Sequence, residues 1–369
     1  MSSIGGGQPP AGALTAAGLK QQLQRSYFMK GVTIAVLSGM YYGVYSAFVT
    51  KGMGVGVWDT WYGTYETGVM VLLIGALGSA VNDSVSAVWC FIIAAIKGKL
   101  GDFARCIRTK PGRVMILCAL AGGPVASSAY IISLQMAGSI SIPITALCPA
   151  IGAILGRILF KQALTPRMLV GIFVCVGASI MIGSVGFGED GGTAVVVGCL
   201  IALVAAFGWG IEGCIAGFGT TLIDHEIGIT IRQTTSGLSN LIILVPILSL
   251  MAGDIGLAPS FIGAAFTDGA AMPFFIVSGF FSLFTFSLWY KGNSMCGAAL
   301  GMACNGTYSF WGPFFCWIIL GLFFKEDGWM LAPIAWVGAI VMFFGILLIA
   351  VNPFAPLMKK KGGEDETAA

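Results

Sequence analysis

Charge is what this sequence has least of. Asp, Glu, Lys and Arg together make up 9% of its 369 residues. A soluble chain carries roughly a quarter of its residues as charges, so a water-facing surface cannot be built here, and soluble enzymes and nucleic-acid binders are excluded. Histidine is nearly absent. One residue, His225, removes any basis for a zinc or haem site made of imidazoles, and no metal or cofactor is expected. The ten cysteines lie scattered through apolar stretches with no C-x-x-C pair, and read as small, reduced packing residues. The phosphate-binding pattern G-x-x-x-x-G-K-[ST] is missing, which excludes ATP coupling within the chain. The first 30 residues lack the apolar core of a cleaved signal peptide, so none is expected.

What is present in excess is apolar: 57% of the residues are hydrophobic and the mean hydropathy is +0.91. A spanning helix needs about 20 largely apolar residues because the hydrocarbon core is about 30 Å thick. Ten stretches meet or approach that length, near 31–50, 67–96, 114–134, 140–160, 168–187, 193–217, 233–252, 271–290, 296–323 and 331–351. The expected fold is an all-α integral membrane protein of ten transmembrane helices, with the lipid bilayer as its solvent. The second stretch is interrupted by Asn82-Asp83, and a tilted helix, a broken helix or a span followed by an interfacial helix would each accommodate it.

Lys and Arg set the orientation, because cytoplasmic loops retain positive charge. With the N-terminus inside, 17 of the 19 basic residues fall on the cytoplasmic side, Arg232 and Lys291 among them at helix ends, and only Lys51 and Lys325 fall outside. Asp59, Glu66, Glu189, Asp190, Asp254, Asp268, Glu326 and Asp327 are then external. The chain is thus expected as a multi-pass protein of the cell membrane, with a cytoplasmic arm at 1–30 and a cytoplasmic tail at 353–369.

An internal repeat gives that count a meaning. Leu37 to Val44, containing Tyr42-Gly43, aligns with Val204 to Ile211, containing Trp209-Gly210, at an offset of 167. Cys148-Pro149 through Phe160-Lys161-Gln162 aligns with Gly312-Pro313 through Phe324-Lys325-Glu326 at an offset of 164. Two nearly equal offsets imply homologous halves, 31–187 and 193–352, of five spans each. An odd number of spans per half inverts the second against the first, and exchange of conformation between inverted halves yields alternating access.

Ten spans, two five-span halves, a proline near the middle of spans four and nine, and the Phe-Lys-Gln and Phe-Lys-Glu endings resemble the drug/metabolite transporter superfamily, in particular its EamA-type repeat. The resemblance implies a ten-helix secondary transporter. The chain departs from the pattern in its long second span, in Gln162 where the repeat usually has Glu, and in about five extra residues around Lys291 to Asn305. Trp58-Asp-Thr-Trp61, Tyr290-Lys-Gly and Lys325-Glu326 are similar to the rhamnose–proton symporter branch, which implies sugar uptake.

Polar groups at mid-membrane are costly and face a cavity or a partner. Glu212 lies deep in span six, a turn from Trp209, and reads as a substrate-binding or proton-coupling carboxylate or else a partnered structural one. In the repeat, Tyr45 corresponds to Glu212 and Tyr42 to Trp209, so these four residues are expected to face one another. Aromatic walls suit sugar rings or alkylammonium cations. Asn305 and Tyr308, three apart, are expected on one helix face, with Pro313 breaking the helix a turn later. Asp83 is a second candidate for proton coupling. Trp58, Trp61, Tyr62 and Tyr65 read as an interfacial belt, His225 as loop, and Gly208-x-Gly-x-x-Gly213 as helix packing in place of a dinucleotide fingerprint.

The function expected is secondary transport of a small polar, sugar-like solute, with protons as coupling ion, a homodimer left open and no nucleic-acid partner. The alternatives are an exporter of organic cations, drugs or amino acids, and a non-transporting membrane enzyme or lipid-binding subunit.

Overall fold

A computed structural model describes residues 16–65, 68–160, 165–183, 192–219, 222–296, 298–330 and 332–350. Among these residues the secondary structure is helical throughout. The α-helices in order are α1 (Ala16–Met53), α2 (Val57–Thr64), α3 (Val69–Ile96), α4 (Leu100–Cys106), α5 (Lys110–Leu120), α6 (Ser128–Ala137), α7 (Ser141–Thr145), α8 (Cys148–Phe160) and α9 (Pro166–Gly183). The second half holds α10 (Thr193–Gly219), α11 (His225–Ser239), α12 (Val245–Met251), α13 (Leu257–Thr267), α14 (Met272–Cys296), α15 (Ala298–Asn305), α16 (Tyr308–Cys316) and α17 (Pro333–Ala350). Parts of the repeat endings (Lys161, Gln162), the acidic residues Glu66, Glu189 and Asp190, the first fifteen residues of the arm and the tail from residue 353 lie outside the described residues.

Helices lie over all ten apolar stretches, and seven helical runs are long and apolar enough to cross a membrane. The remaining apolar helices are shorter. That fits a multi-pass, all-α membrane protein. Its surface is the inverse of a soluble one: Phe173, Ile180, Ile242 and Phe323 are each at least two-thirds exposed, while Ser79, Asn82, Asp83, Glu212, Arg232, Gln233 and Ser282 are buried. Lipid is the solvent that tolerates the first set, and internal pairing is what the second set requires in its absence.

Local sequence sets the boundaries. Gly98, at φ 68°, closes α3 just past its last turn, as a C′ glycine does. Thr109 caps α5 with its hydroxyl and Pro111 sits in the first turn, where a missing N–H costs nothing. Asp224 caps α11 by accepting from the Glu226 and Ile227 amides. His225 therefore begins a helix instead of lying in a loop. Three π-helical turns, Ala121–Ser127, Asn240–Leu244 and Trp317–Phe323, each lie within a few residues of a proline (Pro124, Pro246, Pro313), where a lost N–H frees a carbonyl and shifts the ladder.

The second apolar stretch resolves into one unbroken helix, α3, of 28 residues. At 1.5 Å per residue it is about 42 Å long, enough to cross the bilayer at a tilt. Asn82 and Asp83 do not break it because their side chains find partners on neighbouring helices. Conversely, the helix expected through 296–323 is interrupted at Gly306-Thr307, between α15 and α16, and Pro313 lies inside α16.

α1 packs on α14, α15 and α16, and α10 on α6, α7 and α8. α3 packs on α11 and α14, α11 on α5, and α9 on α17. The bonds Ser38 Oγ to Thr285 O (2.6 Å) and Ser278 Oγ to Tyr45 O (3.1 Å) make α1 and α14 antiparallel. At one end of the bundle Lys51 meets Glu326 at 2.5 Å and the Val57 amide donates to Asp268. At the other, Lys97 and Lys99 meet Asp224 and Glu226. Each ion pair thus joins helix ends that share one side of the bundle.

Candidate functional site

The bundle interior holds two adjoining clusters, one aromatic and one charged. Tyr42 on α1 stacks on Tyr308 at 4.2 Å between ring centroids and meets Trp209 edge-on at 5.8 Å. Tyr45 lies 5.2 Å from Tyr42, and Tyr130 on α6 lies 5.3 Å from both Tyr42 and Trp209. Beside these rings is a cavity of about 10 Å³ bordered by Tyr42, Cys148, Trp209, Thr285, Phe286, Trp289, Asn305 and Tyr308. That holds one water at most. The walls have closed on the place. Among the polar atoms of the residues that line it, Trp209 Nε1, Trp289 Nε1 and Thr285 Oγ1 are buried without a hydrogen-bond partner.

Close approach of the helices is set by small residues. A Cβ built at Gly210 would lie 2.6 Å from Ile151 and one at Gly213 2.5 Å from Met302, so the glycines of 208–213 serve packing. Asn305 Nδ2 donates to Ser38 Oγ on α1 at 2.6 Å. Asn305 and Tyr308 thus both face α1 and both border the cavity, across the turn at Gly306-Thr307. Three of the four residues expected to face one another (Tyr42, Tyr45, Trp209) do meet. Glu212 is turned to a different partner.

That partner is Arg232. Expected at a helix end with its head in water, it is fully buried. α11 begins eight residues earlier than the apolar stretch suggests, which puts Arg232 two turns inside. Its Nε donates to Glu212 Oε1 at 3.1 Å, and its NH2 donates to Gly122 O (3.0 Å) and Ser127 Oγ (2.8 Å). Its NH1 donates to Gln233 Oε1 and lies 3.6 Å from Asp83 Oδ2, and the guanidinium carbon sits 3.9 Å from the Phe286 ring centroid. The π-helical turn around Gly122 exposes the carbonyl that Arg232 uses. Gly122 also has no side chain because Glu212 occupies that space: a Cβ there would fall on the carboxylate.

Tyr290 Oη donates to Glu212 Oε1 at 2.8 Å, while Glu212 Oε2 has no partner. Asp83 accepts from Ser236 Oγ and from Asn82 Nδ2. Asn82 Oδ1 in turn accepts from Ser278 Oγ at 2.7 Å. Five runs of helix (α3, the π turn before α6, α10, α11 and α14) converge on one guanidinium and two carboxylates. Sequence reasoning missed Tyr130 and Gln233, set Arg232 at a helix end, and touched Tyr290 only through a resemblance. The signal for Arg232 and Gln233 was present: a polar-rich stretch, 225–236, directly continuous with an apolar one.

Trp58 also departs from expectation. It is fully buried, packs on Trp61 at 5.2 Å and on Phe275, and Trp61 stacks on Phe261 at 4.3 Å. Trp58 is thus a packed interior ring, while Trp61, Tyr62 and Tyr65 are half-buried.

No known family profile matches the chain, and no curated protein does. Among 24 solved chains of like architecture, one described only as a crystal structure of a protein superposes with a TM-score of 0.53. Identity is 14% over 87% of this chain and 98% of that one. The likeness is one of fold: this arrangement of helices recurs in a solved protein of nearly the same extent.

Proposed function

We propose that the chain is a secondary transporter of a small, neutral, hydroxyl-rich solute, working by alternating access with protons as coupling ion. The family context proposed is the drug/metabolite transporter superfamily of EamA type, with ten spans in two inverted halves and both termini cytoplasmic. Supporting the halves, exchanging the first five spans for the second five maps α1–α14 packing onto α10–α6, α1–α16 onto α10–α8, and α3–α14 onto α11–α5, and leaves α3–α11 and α9–α17 in place.

The observation that carries the solute class is the set of unpartnered polar atoms around the aromatic cavity. Leaving a buried donor unpaired costs about 1–3 kcal/mol, which a ligand oxygen would remove. Two indole N–H groups ask for an acceptor, and the rings supply flat apolar faces for a sugar-like solute. An organic cation fits worse. Indole N–H groups repel it, and the carboxylate that would balance it, Glu212, already faces Arg232 at 3.1 Å.

A thermal-shift screen of the purified protein against monosaccharides, amino acids and quaternary amines tests the class. Selective stabilisation by a sugar, lost in Trp209→Phe, which keeps a ring and removes the donor, is the expected result. Selective stabilisation by an amine would overturn it. In proteoliposomes, Glu212→Gln should abolish accumulation driven by a pH gradient, and full accumulation in that variant would remove Glu212 from coupling.

A further inference from the structure

A cleft separate from the aromatic cavity opens between α3, α11 and α14. Its volume is about 130 Å³ and its wall includes Lys97, His225, Glu226 and Lys291 at the mouth and Cys90 and Thr230 at the base. That is room for several waters. The residues fall in register along the helices. On α3, Lys97, Cys90, Ser86 and Asp83 form one descending stripe, and on α11 Glu226, Thr230, Gln233 and Ser236 form its antiparallel partner.

Directly below the base the three helices are tied by one side chain. Gln233 Nε2 donates to Ser86 Oγ at 2.6 Å and to Ser282 Oγ at 3.1 Å, while its Oε1 accepts from Arg232. Beyond this tie lies Asp83. Gln233 thus separates a water-sized cleft from a buried carboxylate by a single layer of hydrogen bonds.

We propose that this cleft carries the coupling proton between the aqueous phase at the Lys97 end and Asp83, and that Gln233 is the latch that closes it. The charges make such a site necessary. A guanidinium stays protonated, so with both carboxylates ionised the cluster buries a net negative charge, which is costly away from water. One proton, delivered by hydronium from the aqueous phase through the cleft onto Asp83 Oδ2, leaves Arg232⁺ and Glu212⁻ as a neutral pair. Asp83 is the carboxylate on the cleft side. The other ionisable groups facing it are Arg232 on α11, Tyr45 on α1 and Cys90 on α3. Glu212 and Tyr290 stand beyond Arg232. At the mouth, His225 faces Asp224, Glu226, Lys99 and Lys291.

The coupling part of the inference rests on the transporter reading, and the access part does not. The access test places a thiol beyond the latch, Ser236→Cys, in a full-length chain whose native cysteines are replaced. A membrane-impermeant thiosulfonate is then applied from each face. With Gln233 intact the thiol should be protected. Adding Gln233→Ala should speed labelling at least about tenfold, the gain in open population expected for losing the three hydrogen bonds of that side chain, and only from the face bearing Lys97. Equal rates with and without Gln233, or labelling from the Lys51 face, overturn the route.

If the replaced background does not fold, Cys90 in the otherwise native chain serves instead, read as the labelling that Cys90→Ser removes. It should react from the Lys97 face alone, and protection from both faces overturns a water-filled cleft. Coupling is read separately with Asp83→Asn, which should keep solute counterflow and lose its dependence on the pH gradient. Retained dependence overturns the role of Asp83. Absence of any solute flux in the native protein defeats the transporter reading and leaves the labelling result to decide the cleft.

Discussion

Arg232 holds the interior together by being the only cation within reach of Glu212 and Asp83 among the described residues. Removing one partner of a buried pair leaves the other uncompensated and costs about 3–5 kcal/mol. Arg232→Met should therefore lower the unfolding temperature sharply, and adding Glu212→Gln should restore part of the loss. Purely additive effects in that double-variant cycle would mean that the two side chains do not interact. Arg232→Lys should not rescue fully, because an ammonium cannot reach Glu212, Gly122 O and Ser127 Oγ at once as the planar fork does. None of this was legible from Arg232 as a single letter. A basic residue at the start of an apolar stretch snorkels by default, and only the helix beginning at His225 places it inside.

At the level of elements, the cavity is built where α1 meets the turn between α15 and α16. Asn305 reaches Ser38 and, three residues on, Tyr308 lies flat on Tyr42. These contacts need α1 to come close, and Gly39 permits it: a Cβ there would lie 2.7 Å from the Asn305 carbonyl oxygen and from Thr307 Oγ1. Gly39→Leu should push α1 away at a cost of about 1–3 kcal/mol, seen as a lower unfolding temperature. An unchanged unfolding temperature would mean that the contact is not tight. Pro313 was the visible helix breaker in the sequence, yet α16 runs through it and the ladder adjusts afterwards in a π-helical turn. Proline marks where a carbonyl can be freed, and neighbouring helices decide which turn opens.

For the whole molecule, the two ends of the bundle carry different ties. Lys51 and Glu326 close one, and Lys97, Lys99, Asp224 and Glu226 close the other. Partial burial pushes the Asp224 carboxyl up, but the hydrogen bond from Lys99, helped by the Glu226 amide, outweighs it and holds the group below the usual carboxylate range. Hydrogen bonding to Glu226 likewise raises Lys99. A depressed carboxylate contributes stability above its unfolded pKa and loses it as pH falls through the folded one. Lys99→Ala should therefore be less stable than the native protein at neutral pH, and the difference should fade as acid carries Asp224 through its lowered pKa. These groups are partly exposed, so the effect is modest and should also shrink at high salt. A difference that persists in acid would mean that Lys99 acts through packing and not through charge.

The sequence by itself determined the class of solvent and the scale of the elements. Nine per cent charge cannot cover a soluble surface, and apolar stretches of about 20 residues have one common use. It also pointed to Tyr42, Tyr45 and Trp209 as rings that meet, because the repeat offset carries them to matching helix positions, while the stacking of Tyr308 on Tyr42 came only from the structure. What it could not determine is partnership between polar side chains. Asp83 lies more than 100 residues before Glu212, Arg232 and Gln233, which come from consecutive helices, and hydrogen-bond geometry depends on rotation and depth to within about an ångström. Hydropathy fixes neither. Only the packed bundle decided that Glu212 answers to Arg232, and that Gln233 stands between Asp83 and the cleft.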